Sequence, residues 1–159
     1  MYVLIKQCGD DISVVAVSES KNLLRQKLVR EAKRIMEEKI RARKAQEQRE
    51  IEEGNSKLAR AEYHENIYFI RPITEYNDLL DEAIQQDNCV ASYADRIAAG
   101  QSRIFTMRET AHPERSLVTI ELSPDCKTIR QKYLAHNHVI RNRAMTKFIE
   151  RWHRQLNAA

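Results

Sequence analysis

The residues with the clearest chemical potential are a thiol and a histidine that lie far apart in the sequence. Cys89 opens a segment that we expect to be helical, and the dipole at a helix N-terminus favours the reactive thiolate. His136 or His138 is the candidate base that would activate it, and Asn137 is placed to orient that histidine. The alternative is that Cys89 packs in the core, as cysteine usually does. We favour packing, so Cys89, His136 and Asn137 remain catalytic candidates in a protein that we expect to be non-enzymatic.

The same region offers the residue types of a metal site. His136 and His138 are separated by one residue, and Cys126 or His153 could complete a set of ligands. Structural zinc sites need four ligands at recognisable spacings, and this sequence has no such spacing. We therefore predict no metal and no cofactor, and expect the two histidines to hydrogen-bond, cap an element or contact phosphate.

Four further residues would meet with Asn137 if the segment after Cys89 packs against a sheet formed by later strands. They are Tyr93, Arg103, Arg108 and Gln131. An arginine guanidinium offers forked hydrogen bonds to phosphate, and Gln and Asn can bind polar edges. The group would suit a phosphate or a nucleotide. Its structural alternative is a polar network that fixes a helix on the sheet.

Charge is distributed unevenly along the chain, although the net charge is only +4. Residues 21–49 carry eleven Lys and Arg against four Glu, and residues 127–154 carry eight against one, a net +7 in each segment. Residues 75–95 contain six acids and no Lys or Arg. This segregation predicts a polyanionic partner, or contact between the basic and acidic surfaces of neighbouring subunits, with ordinary solvated faces as the alternative. The candidate nucleic-acid-binding residues are Arg103, Arg108, Arg130, Lys132, Arg143, Lys147, Arg151 and Arg154.

The first third of the chain predicts a β-hairpin followed by a long charged helix. Strands at 2–7 and 12–17 flank a Cys-Gly-Asp-Asp turn. The helix begins near Ser20, a residue suited to cap it, and its apolar stripe thins in the second half. We expect the Gly-Asn-Ser sequence at 54–56 to end it. This arm, residues 20–60, could pair with a second copy to form a homodimer.

The next segment predicts one strand and two helices. A strand at 67–70 precedes a helix at about 75–86, whose first turn Thr74 would cap. A second helix, at about 89–99, would be closed by Gly100 in a left-handed conformation.

The last segment predicts a small antiparallel sheet and a final helix at about 138–156. Thr119 and Glu121 alternate with apolar residues, which predicts a sheet with one face in water. Three strands form the meander, at about 102–108, 116–122 and 127–133. The fold class is therefore α+β, with an arm domain, 1–62, followed by a compact domain, 63–159.

Two motifs in the compact domain resemble those of the PcfJ-like family, which is carried on plasmids, phages and other mobile elements. Cys89, Val90 and Tyr93 match a His-Cys-Val-Gly-x-Tyr motif. Gln131 and Asn137 match a Gln-x-x-Gly-x-x-Asn-like segment that precedes a helix. The resemblance covers about residues 66–157.

The chain departs from the family pattern at three positions, where Asn88, Ala91 and Leu134 replace His, Gly and Gly. If that histidine serves chemistry in the family, this chain lacks it. The resemblance implies an accessory protein of a mobile element. One specific version of that role is an inhibitor of a host defence nuclease, such as a CRISPR effector, for which the acidic segment 75–95 is the candidate contact.

Composition narrows the remaining possibilities. Three cysteines without regular spacing indicate reduced thiols, and no apolar run approaches about 18 residues, so we expect a cytoplasmic protein without a membrane partner. The leading function is the binding of nucleic acid or of a nucleic-acid-processing complex. The alternatives are a Cys-dependent enzyme acting on a nucleotide or nucleic acid, and a structural adaptor acting through the charged helix.

Overall fold

The computed structural model describes residues 1–8, 10–18 and 20–158. The chain forms two compact units, Met1–Gln46 and Glu47–Ala159, with the boundary inside a long helix. Whether residues 1–62 and 63–159 act as separate domains stays a prediction. None of the helices in the described ranges combines the length and apolarity needed to cross a membrane.

The first unit contains the predicted hairpin. Strand β1, Tyr2–Cys8, pairs antiparallel with β2, Asp11–Ser18. The glycine of the predicted turn, Gly9, lies outside the described residues. Helix α1 then begins at Lys21, and the Ser20 hydroxyl accepts a hydrogen bond from the main-chain NH of Leu23 at 3.4 Å, which confirms the predicted cap.

Helix α1 is longer than the sequence predicted. It spans Lys21–Leu58, 38 residues, which corresponds to about 57 Å at 1.5 Å per residue. The prediction that Gly54-Asn55-Ser56 ends the helix is wrong. Gly54 is buried within it, at a point where the helix backbone closely approaches the chain at Pro124.

The second unit is built on one antiparallel sheet with the strand order β3-β4-β5-β6-β7. The predicted meander of three strands is therefore incomplete, because two preceding strands extend it to five. A three-residue strand such as the first of these has too short a pattern to be recognised in sequence. The strands are β3 Tyr63–Glu65, β4 Tyr68–Pro72, β5 Arg103–Glu109, β6 His112–Leu122 and β7 Ile129–Tyr133.

One face of this sheet is apolar and packs against the last helix, α4, Arg143–Leu156. Trp152 lies in the centre of that core, with its ring centroid 4.9 Å from that of Phe105. Its indole NH donates to the Ala61 carbonyl at 2.9 Å, so the largest core side chain leaves no polar atom unpaired. Helix α4 begins five residues later than predicted, because Asn142 caps it by accepting from the NH groups of residues 144 and 145.

The opposite face of the sheet is polar but not solvated, which overturns the predicted wet face. Thr119 and Glu121 are 9% and 4% exposed. They are covered by helix α2, Tyr76–Gln86, and by the segment that follows it. The α2 residues Glu82 and Gln86 are themselves buried, so the interface between α2 and the sheet is a buried polar layer.

The segment after α2 is less regular than predicted. The expected helix at 89–99 is a 3₁₀ helix, Val90–Tyr93, followed by the short α3, Ala94–Ala98. The Asn88 side chain accepts from the Val90 NH at 3.0 Å, a local bond that competes with regular helix formation. Gly100 has φ +72°, which confirms its left-handed role. Helix α2 has Glu75 as its N-cap, without a side-chain hydrogen bond, so the predicted cap by Thr74 is wrong.

Candidate functional site

The residues of the two motifs lie around one small pocket on the polar side of the sheet. The 3₁₀ helix Val90–Tyr93 carries the first motif, and β7 with the turn after it carries the second. We call this site the motif pocket. Its lining comprises Asn88, Cys89, Val90, Tyr93, Ile104, Thr119, Glu121, Gln131, Tyr133 and Asn137.

Cross-strand pairing builds the floor of the motif pocket. In the register of β6 and β7, Glu121 lies opposite Gln131 and Thr119 lies opposite Tyr133. The Gln131 amide donates to Glu121 Oε2 at 3.2 Å, and the buried Ser102 hydroxyl donates to Glu121 Oε1 at 2.8 Å. The carboxylate of Glu121 is therefore held at the centre of a hydrogen-bonded group.

The cover of the pocket is tied to this floor by polar contacts. The Asn88 amide donates to Thr119 Oγ1 at 3.3 Å. The Arg96 guanidinium lies 4.9 Å from the centre of the Tyr93 ring and 3.6 Å from Glu121 Oε1. These contacts hold the first motif over the sheet. They form a polar network of the kind that the sequence analysis gave as the alternative to a phosphate or nucleotide site at Tyr93 and Gln131.

The motif pocket is small, with a volume of about 40 Å³. That is room for one to three waters, whereas ligand pockets usually measure about 300–1,000 Å³. In this conformation the pocket does not accommodate a nucleotide, so its size does not favour the alternative of a nucleotide-processing enzyme.

The catalytic candidates Cys89 and His136 are both exposed. Cys89 is exposed at the rim, and His136 Nδ1 lies 2.8 Å from Asp87 Oδ2. Within the described ranges no hydrogen bond joins Cys89 to His136. His136 and Asn137 have φ values of +58° and +57°, and Asn tolerates this left-handed region better than most residues. The backbone conformation of Asn137 therefore gives one structural reason for its presence.

Arg108 is buried beneath α2 rather than placed in the motif pocket. Its guanidinium donates to Pro113 O at 2.9 Å and to Glu82 Oε2 at 3.4 Å. Glu82 also accepts from the hydroxyls of Ser116 and Thr119 at 2.7 and 2.6 Å. Burial raises the pKa of the Glu82 carboxyl, and these hydrogen bonds offset part of that effect.

Arg103 lies at the other end of β5, on the side of α1. It donates from Nη2 to Ile51 O at 3.0 Å and to Asn55 Oδ1 at 2.7 Å, and from Nε to Pro124 O at 3.3 Å. Arg103 and Arg108 are 6% and 4% exposed, so neither offers its guanidinium to a large polyanion.

The other predicted nucleic-acid-binding residues divide into paired and exposed groups. Arg130 contacts Glu121 and the Gln101 carbonyl, and Arg151 binds Glu65, which raises the pKa of Arg151. Lys132 on β7 is half-buried. The exposed residues, without an ion-pair partner in the part of the chain that is described, are Arg143, Lys147 and Arg154.

The histidines considered as metal ligands are engaged separately. The rings of His136 and His138 are 6.0 Å apart, and His153 Nε2 hydrogen-bonds to the main-chain carbonyl of Cys126 at 2.9 Å. The thiol of Cys126 is buried in the core, and burial raises its pKa. Across residues 1–8, 10–18 and 20–158 there is no group of three or more His, Cys, Asp or Glu suited to a metal ion.

Sequence reasoning missed several residues of the motif pocket, chiefly Glu121. Its alternation with apolar neighbours was interpreted as solvent exposure, although the same pattern arises when a helix buries a polar face. The usable signal was the acidic and amide-rich face of α2, at Glu82 and Gln86, which has the right spacing to pack against polar strand residues.

The molecule is an α+β protein in which two motifs far apart in the sequence line one polar pocket on the sheet. The family model for PcfJ-like proteins matches residues 5–146, so the chain belongs to the PcfJ-like family. The match begins much earlier than the range of about 66–157 predicted from the motifs, at residue 5 within β1, includes β2 and α1, and ends within α4. Neither a curated protein nor a solved structure matches the chain.

Proposed function

We propose that this protein binds the phosphate backbone of nucleic acid, alone or within a nucleic-acid-processing complex. The observation that carries the proposal is the outer face of α4. Arg143, Lys147 and Arg154 occur at i, i+4 and i+11, which places them within about 40° of one another around the helix. All three side chains are exposed, so their charges are available to a polyanion.

The first unit adds further exposed basic residues, on two different sides of α1. In the described ranges, seven exposed cationic residues of α1 have no carboxylate partner. They are Lys21, Arg25, Lys27, Arg30, Lys39, Arg41 and Lys44. The helix also has internal ion pairs, such as Arg34 with Glu31 and Glu38, which stabilise a helix that is polar on most sides.

Contacts of this kind release counterions from the nucleic acid and are weakly selective for sequence. The acidic segment 75–95, which an inhibitor of a defence nuclease would use to imitate phosphate, is a poorer surface. Glu82 is buried, and Asp78 binds Arg71 at 3.1 Å. The basic surfaces are therefore the better supported contact.

Fluorescence anisotropy with labelled single- and double-stranded DNA and RNA, repeated over a salt series, tests this proposal. Each lost phosphate contact should reduce the slope of log K against log salt by about 0.7–0.9. Lys147→Glu should therefore weaken binding and flatten the slope. The matched control is Arg115→Glu, which reverses an exposed charge on β6. Absence of binding at low salt, or equal effects of the two reversals, would contradict the proposal.

A specific observation favours self-association through the first unit as a second candidate function. Eleven of the fifteen large apolar side chains that are exposed among the described residues lie in Met1–Gln46, including Val29 and Met36 at 64% and 65%. A two-stranded hairpin is only marginally stable alone. We propose that a second copy of the chain covers this apolar surface, as expected for a homodimer through residues 20–60.

Sedimentation velocity at increasing protein concentration tests the dimer. Met36→Glu should shift the protein towards monomer, whereas Lys27→Glu, at an exposed position on the opposite side of α1, should leave the apolar contact intact. If the protein remains monomeric at every concentration, a second copy of the chain does not cover the apolar surface, and a different partner must do so.

A further inference from the structure

A cavity of about 390 Å³ lies in the second unit, at the end of the sheet where β5 begins. Its size falls within the usual range for small-molecule sites, about 300–1,000 Å³. Its walls are mainly aliphatic, with contributions from Leu58, Ile73, Leu79, Ile97 and Ile104. Neither the basic surfaces nor the motif pocket accounts for this cavity.

Arg103 lines the cavity and is a buried cation without a counterion. Its three hydrogen bonds go to the carbonyls of Ile51 and Pro124 and to the amide oxygen of Asn55, which are all neutral acceptors. In the part of the chain that is described, no carboxylate lies within 4.0 Å of the guanidinium, and Nη1 donates no hydrogen bond. An anion that reaches a buried cation in this state gains a Coulombic attraction, which the loss of its own hydration partly offsets.

The start of α2 supplies a second, independent attraction for an anion at the same cavity. Thr74, Glu75 and Tyr76 line it, and the N-cap Glu75 makes no side-chain cap. The first NH groups of this 11-residue helix therefore have no capping side chain, and a helix N-terminus carries a partial positive charge. The main-chain NH of Ile73 donates to Ile104 O at 2.8 Å, which holds the start of α2 beside the start of β5.

We propose that this cavity binds an apolar organic monocarboxylate. The carboxylate lies between Arg103 and the first turn of α2, and the apolar body fills the aliphatic walls. Glu75 and Asp95 also line the cavity, and both side chains are exposed. These two acids repel every anion, but they repel a nucleotide or another polyanion more strongly than a singly charged carboxylate, so the ligand differs from the nucleic acid proposed above.

Isothermal titration calorimetry with octanoate tests the site. Octan-1-ol is the uncharged control compound of the same chain length, and it tests the role of the carboxylate without a substitution of Arg103. Octanoate should bind at least tenfold more tightly than octan-1-ol. Ala98→Trp should fill the cavity and weaken octanoate binding at least tenfold, because Ala98 lines it. The matched control is Ala99→Trp, at an exposed neighbour that does not line the cavity and should bind octanoate as the unaltered protein does.

Nuclear Overhauser effects from the octanoate chain to the methyl groups of Ile73, Ile97 and Ile104 give a readout that needs no variant. Equal affinity for octanoate and octan-1-ol would overturn the role of Arg103 and α2. Binding that Ala98→Trp leaves unchanged, absence of those Overhauser effects, or no binding at millimolar octanoate would overturn the site. These outcomes are independent of nucleic-acid binding, because none of the cavity residues belongs to the basic surfaces.

Discussion

Gly54 of α1 packs directly against the main-chain carbonyl of Pro124, so closely that a Cβ at Gly54 would lie 1.7 Å from that oxygen. The same Cβ would lie 3.1 Å from Nη2 of Arg103. The last turns of α1 therefore reach the turn between β6 and β7 only because residue 54 has no side chain, and Arg103 then bonds to the carbonyls of Ile51 and Pro124.

Gly54→Ala should destabilise the protein. At an ordinary helix position a glycine-to-alanine change stabilises the folded protein by about 1 kcal/mol. Here the new Cβ would force α1 away from the main chain at Pro124, and the free energy of unfolding should fall by about 2 kcal/mol or more. Urea unfolding followed by circular dichroism measures the difference. Ser56→Ala, an exposed position on the same helix, is the control and should change the free energy of unfolding by no more than about 0.5 kcal/mol. A Gly54→Ala protein more stable than the natural one would contradict the close packing.

Because of Glu82, the free energy of unfolding should fall as the pH rises above the usual pKa of a glutamate side chain. Burial raises the pKa of this carboxyl in the folded state, so the unfolded state releases the proton first. Between the two pKa values the folded state binds more protons, and the free energy of unfolding falls with pH. The contribution of Glu82 is fully present below the unfolded pKa and is lost as pH rises through the folded pKa.

Unfolding measured at several pH values from 4.5 upwards checks this slope against Glu82→Gln, which cannot ionise and should remove that part of the slope. Glu65 and Glu53 do not obscure it, because Arg151 and Lys127 lower the pKa values of these two carboxyls and move their effect to more acidic solutions. Glu114→Gln, at an exposed position, is the control. Identical slopes for the natural protein and Glu82→Gln would show that Glu82 does not titrate in this range.

The elements of the fold were predictable from local patterns, whereas the partners of the polar residues were not. Alternation and capping signals located β5, β6 and β7 and the Ser20 cap, because these depend on residues close in sequence. The burial of Thr119 and Glu121 depends on α2, which lies far away in the chain. A polar strand face looks the same in sequence whether water or a polar helix covers it.

The same limit applies to the candidate sites. The motif residues Tyr93 and Gln131, which were expected to approach one another if the first motif packs on the sheet, both line the motif pocket. Arg103 and Arg108 lie in the same strand and were grouped with them, although Arg103 bonds to α1 at the start of β5 and Arg108 bonds to Glu82 of α2. Residues an odd number of positions apart in a strand have side chains on opposite faces of the sheet. Nothing in the sequence around Arg103 or Arg108 indicated that these arginines are buried.

Iodoacetamide should modify Cys89 and leave Cys126 intact while the protein is folded. Cys89 is exposed, whereas Cys126 is buried and burial raises its pKa, which disfavours the reactive thiolate. Mass spectrometry of a Cys8→Ser protein should therefore find one modification per chain before unfolding and two after it. Adding Cys89→Ala to this protein should abolish the modification that occurs before unfolding. Modification of Cys126 at the same rate as Cys89 would contradict the packing of the core around β6 and α4.

Two substitutions of Asn137 separate its backbone role from any role of its side chain in the motif pocket. Asn137 has φ +57°, so Asn137→Ala should cost about 1 kcal/mol through the left-handed backbone, and Asn137→Gly should cost little or nothing by that mechanism. Thermal unfolding of the three proteins measures the difference. If both variants lose the same stability, the amide side chain rather than the backbone is what the structure requires. Equal stability of Asn137→Gly and the natural protein would show that the left-handed backbone accounts for the presence of Asn137.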